Sequence, residues 1–95
     1  MKGFRNYTAP STDDLARLKE ELCLTGNEMA DLAGVSDNRQ WRKYTGGAAP
    51  RDMNAAMLFL MAARLTLTEE QLAPVLDKMR TIGASFDFQE AGHDS

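Results

Sequence analysis

The chain is poor in the residues that carry most enzyme chemistry. Of its 95 residues one is cysteine, Cys23, and one is histidine, His93. A single thiol forbids an intrachain disulfide and leaves a Cys/His zinc cluster without its ligands. Cys23 therefore reads as a small buried apolar residue with no redox role. No phosphate loop or nucleophile motif occurs, and the carboxylates near helix starts are explained by capping. This inventory points away from an enzyme, and neither a metal, a cofactor nor a small-molecule ligand is evident. Long apolar runs are also missing. The longest, residues 55–63, falls well short of the ~20 residues that cross a bilayer. Residues 1–7 carry no apolar signal segment. The expectation is a cytoplasmic chain with no membrane partner.

What is present suits one small globular domain. Hydrophobic residues make up 43% of the chain, enough for a single modest core that a second subunit would enlarge. The net charge is −3, which argues mildly against nucleic acid, but the charge is segregated. Between residues 38 and 51 the charged side chains are Arg39, Arg42, Lys43 and Arg51, with no acid among them. From Glu69 onward Glu69, Glu70, Asp77, Asp87, Glu90 and Asp94 outweigh Lys78 and Arg80. A total charge says little about a local field, and this separation is what one anion-facing surface requires.

The periodicity predicts five helices. Residues 1–10 read as a flexible N-terminal arm, with Lys2 and Arg5 as its cations. Ser11, followed by Asp13 and Asp14, opens the first helix, whose inward stripe is Leu15, Leu18 and Leu22 and which stops near Cys23. Thr25 and Glu28 have capping-box spacing and open the second, which buries Met29, Leu32 and Ala33 and ends at Gly34. Asp37 and Gln40 are a similar pair before the third. On its wheel Trp41, Tyr44 and Thr45 share the inward edge, so Arg39 and Lys43 face out and Gln40 and Arg42 flank them. Pro50 and Asp52 suit the first turn of a fourth helix ending near Arg64. This helix is apolar almost all round, as a central or subunit-contact helix would be. Met53, Met57 and Met61 read as core packing ahead of an adaptable interface stripe. Thr68 and Gln71 open a fifth helix ending at Ile82 and Gly83, with a kink or late start at Pro74. The helical domain thus spans 11–83. The tail, 84–95, admits two readings: a short dimerisation strand through Phe86 and Phe88, or disorder. The fifth helix and the Phe86/Phe88 segment are the expected dimer contacts, with the fourth helix next.

Residues 24–47 resemble the lambda-repressor-like (Cro/repressor, Xre-type) helix-turn-helix family. The resemblance rests on Leu24-Thr25-Gly26-Asn27-Glu28-Met29-Ala30, on Leu32-Ala33-Gly34-Val35-Ser36, on Trp41 with Tyr44, and on Gly47 and Pro50. It extends over about residues 11–67 and implies an all-α, five-helix domain that binds double-stranded DNA as a homodimer and regulates transcription, usually by repression. Two departures stand out. Gly26 occupies a position where the family often has a phosphate-contacting glutamine, and Trp41 and Tyr44 lie one residue further from Val35 than usual.

On this reading Arg39, Gln40, Arg42 and Lys43 read bases. Arginine grips guanine O6 and N7 with two bonds, and glutamine does the same for adenine N6 and N7. Thr25, Asn27, Tyr44, Thr45, Gly47 and Arg51 are the candidates for phosphate contact, through hydroxyls, amides and charge. One short recognition helix specifies too few base pairs for a unique address, so two copies on a palindromic operator are expected. The alternative is a protein-interaction module, adaptor or antitoxin-like, that keeps the helical fold without binding DNA.

Overall fold

Five helices make up the fold, and a side-chain cap starts each of them. The computed structural model describes residues 3–88. The helices are α1 (Thr12–Leu22), α2 (Gly26–Ala33), α3 (Asn38–Thr45), α4 (Ala55–Thr66) and α5 (Glu69–Ile82). Ser11 and Asp14, Thr25 and Glu28, and Thr68 and Gln71 form reciprocal capping boxes at α1, α2 and α5. The Asp37 carboxylate accepts the Gln40 N–H at 3.1 Å and opens α3. Each such cap contributes about 1 kcal/mol. At α1 the Ser11 backbone N–H donates to Asp14 and, with the Ser11 hydroxyl and then Arg17, holds its carboxyl below the usual range. A lowered folded-state pKa makes this cap fully effective at neutral pH and weakens it as pH falls through that value.

The core forms where α2 meets its neighbours: α2 packs on α3 and α4, and α1 packs on α3. Its buried side chains are Leu15, Met29, Ala30, Leu32, Ala33, Trp41, Met53 and Met61. Leu18, Leu22, Leu24, Val35, Tyr44, Met57 and Leu58 pack around them. The inward stripes expected of α1, α2 and α3 are therefore the ones buried, and the methionine series is core. The most buried helix is α2, with Met29, Ala30, Leu32 and Ala33 all enclosed. Arg64 ties α4 to it. Its guanidinium donates to the carbonyls of Asp31 and Leu32 at 2.6 and 3.1 Å, at the end of α2 where carbonyls lack helical partners.

Four expectations need correction. Helix α4 starts at Ala55 rather than at Pro50, because Asn54 accepts the Met57 N–H at 2.8 Å and caps it there. Pro50, Asp52 and Met53 precede it in non-helical chain. Of the two readings of α4, central or subunit-contact, the central one fails: within it only Met61 is buried, and Phe59 is 63% exposed. Cys23 is exposed, not buried. It closes α1 in a left-handed conformation (φ 55°) and donates its backbone N–H to the Glu20 and Lys19 carbonyls. Residues 84–88 form no strand. Phe86 and Phe88 instead lie against the guanidinium groups of Arg80 and Arg64, at 4.5 and 4.8 Å. The remainder of the tail, from 89 on, lies outside the described residues, as does Lys2.

Pro74 neither delays nor ends α5, which runs from Glu69 through it to Ile82. It lies on the exposed side, where the acceptor left without its helical N–H can face water. Residues 3–10 contain no helix or strand but are tied to the domain. The Tyr7 hydroxyl donates to the Met53 carbonyl at 2.7 Å, and Phe4 meets Phe59 edge to face with centroids 5.9 Å apart.

Candidate nucleic-acid interface

The site begins with the connection between α2 and α3. Gly34 caps α2, Asp37 caps α3, and residues 34–37 make the turn. The two helix starts are joined directly as well. The Asn27 side-chain oxygen accepts the Asn38 backbone N–H at 2.9 Å, so a residue of α2 satisfies an orphan amide of α3. Gly26 makes this approach possible. A Cβ there would stand 2.1 Å from Asn38 Oδ1 and 2.4 Å from its Cγ. Any side chain at this position would require the Asn38 side chain to swing aside.

With Trp41 2% exposed and Tyr44 and Thr45 half-buried, the phase of α3 is fixed. Arg39, Arg42 and Lys43 face solvent. The loop after α3 folds back beside them. Gly46 donates its N–H to the Arg42 carbonyl at 3.1 Å, and Arg51 donates its own to the Lys43 carbonyl at 2.7 Å. Gly47 turns the loop at φ +88°, a conformation glycine reaches without strain. The result is an open basin of about 500 Å³ lined by Arg39, Arg42, Lys43, Arg51 and residues 46–49. Among the described residues no acidic side chain lines it. Among the described residues none of these four cations is in an ion pair; the cations that are paired are Arg17, Arg64 and Arg80.

Among the expected site residues, the structure thus gathers Arg39, Arg42, Lys43, Gly47 and Arg51 around one basin. The others lie apart. Gln40 is half-buried and outside it. Thr25 is exposed, but its hydroxyl oxygen accepts the Glu28 N–H at 3.1 Å. The Asn27 oxygen is committed to α3. Tyr44 packs on the core. Thr45 is half-buried and away from the basin. Asn38 escaped the sequence reading, although the glycine opposite it was the visible sign of a close approach. Ala48 and Ala49 also line the basin unforeseen, since small side chains carry no chemical signal.

Chemically the basin suits an extended polyanion. Four cations with neither acids nor partners leave a concentrated positive field on a chain of net charge −3. Arg42 and Lys43 also suit the negative end of the α3 dipole. That effect would place basic residues in the last turn of any helix, but it does not account for Arg51, which the chain brings in from beyond the loop. No cluster of three metal-binding side chains occurs among the described residues, and none of their helices is long and apolar enough to cross a membrane. No family model, curated protein or solved structure matches the chain.

Proposed function

We propose that this chain is a sequence-specific DNA-binding regulator of transcription, a repressor of the lambda-repressor-like helix-turn-helix kind. It acts in the cytoplasm as a homodimer on a palindromic operator. The observation that carries the reading is the basin: Arg39, Arg42, Lys43 and Arg51, unpaired and without an acid, beside a helix joined to its predecessor by a four-residue turn. Arg39, in the first turn of α3, meets base edges together with Gln40. Lys43, Arg51 and the amides of the 46–49 loop hold backbone phosphates, and Arg42 bridges the two tasks. Occupancy of the operator excludes polymerase.

Salt provides the test. Each phosphate neutralised contributes about 0.9 to the slope of log affinity against log salt on duplex DNA. With Lys43 and Arg51 on phosphates and Arg42 shared, the slope is about −2 to −3 per subunit, measured by electrophoretic retardation or fluorescence anisotropy. A flat response, or no retardation of mixed genomic fragments at low salt, defeats the proposal and leaves the protein-interaction module as the better reading.

A further inference from the structure

We infer that the face made by α5 and Phe59 is where a second copy of this chain docks. The inference deepens the proposed function by locating its homodimer contact, but it stands on separate residues and is tested without DNA.

Helix α5 is 14 residues long and buries one of them, Leu72. A helix of that length is marginal in water without tertiary packing. Leu76 is half-buried, and the other large apolar side chains are turned outward: Val75, Met79 and Ile82 are 52, 43 and 76% exposed. They recur at spacings of four and three and so form a single stripe along the helix. Val75 and Met79 line an open apolar groove of about 430 Å³ between α4 and α5, with Phe59 on its other wall. Phe59 is 63% exposed and carries Phe4, 64% exposed, against its edge.

Three features select a second copy as the occupant. First, the face is self-complementary. Projecting side chains, Phe59 and Ile82, share it with a groove, as a two-fold interface requires, since each copy supplies both knob and hole. Second, the size is right. The five exposed side chains present apolar surface on the order of 500 Å². With a polar rim this approaches the ~800 Å² per partner of a stable interface. Third, the stripe itself carries no carboxylate. On the α5 wheel Glu69, Glu70 and Asp77 lie off it, and of the two carboxylates that line the groove, Asp31 and Asp87, Asp31 is paired with Arg64 at 3.7 Å. Phe86 and Phe88, expected in the contact, also line this groove, each against a guanidinium of its own chain, Arg80 and Arg64.

Sedimentation equilibrium of the full chain at micromolar concentration reads the outcome. The wild type is expected at twice the chain mass of 10.5 kDa. Ile82→Glu, at a site already 76% exposed, should return the single-chain mass with helical circular dichroism intact. Phe59→Ser tests the other wall of the groove should Ile82→Glu lose structure, and Ile82→Leu should keep the doubled mass. A wild type that stays at single-chain mass at about 100 μM overturns the inference. So does a folded Ile82→Glu chain that keeps the doubled mass. Arg39→Ala should leave the doubled mass untouched whether or not the chain binds DNA.

Discussion

At the scale of single residues, the geometry of the turn rests on Gly26, Asn27 and Asn38. Asn27 supplies the acceptor that starts α3, and Asn38 then lies against the open flank of Gly26. Gly26→Ala should therefore displace the Asn38 side chain and cost no more than about 1 kcal/mol, since only a half-buried side chain opposes the new methyl and alanine is the better helix former. Asn38→Ala removes the opposing atoms. Adding it to Gly26→Ala should recover most of the loss, and a double-mutant cycle of chemical denaturations measures that coupling. Additive costs would show that the two residues do not press on each other. This part of the site was half legible in the sequence. Gly26 was visible as a departure from the family pattern, but periodicity cannot say which side chain fills a gap eleven or twelve positions away. Cys23 was misplaced for a related reason. Its apolar character suggested burial, whereas its position one residue past α1 demanded a left-handed cap.

At the scale of elements, α3 carries two jobs on opposite faces, and substitutions should separate them. Trp41, enclosed by α1 and α2, is among the largest buried side chains. Trp41→Ala should cost about 3–5 kcal/mol of stability. Arg39→Ala, on the exposed face, should leave thermal melting almost unchanged while weakening duplex binding. A melting collapse in that variant would make Arg39 structural. Caps and apolar spacing were enough to place α1, α2, α3 and α5, because serine, threonine or aspartate followed three residues later by a carboxylate or amide is a local code. The start of α4 was not readable this way. Pro50 and Asp52 imitate a helix opening, and only the Asn54 cap and the ties at Arg51 and Met53 delay it to Ala55. The basin was legible in its cations but not in its shape, since the fold-back that brings Arg51 to α3 depends on one backbone hydrogen bond and a left-handed glycine.

At the scale of the whole molecule, the chain is less compact than its length allows. Its radius of gyration is 14.2 Å, against about 12 Å for a close-packed domain of this size. Helix α5 lies at the edge of the fold, with Leu72 buried and Leu76 half-buried. The basic basin and the apolar groove share no residue, so duplex and second subunit can be held at once. If docking of a second copy completes the burial of α5, stability must depend on concentration, because a partner that binds only the folded state stabilises by mass action. Wild-type melting temperature should then rise by several degrees over an about hundredfold increase in protein concentration. Ile82→Glu should melt at one temperature throughout, and amide exchange in its α5 should approach that of a frayed helix while α1, α2 and α3 stay protected. A wild-type melting temperature independent of concentration, with α5 amides protected in dilute solution, would mean that the helix is held by its own chain and that the groove has no need of a second copy.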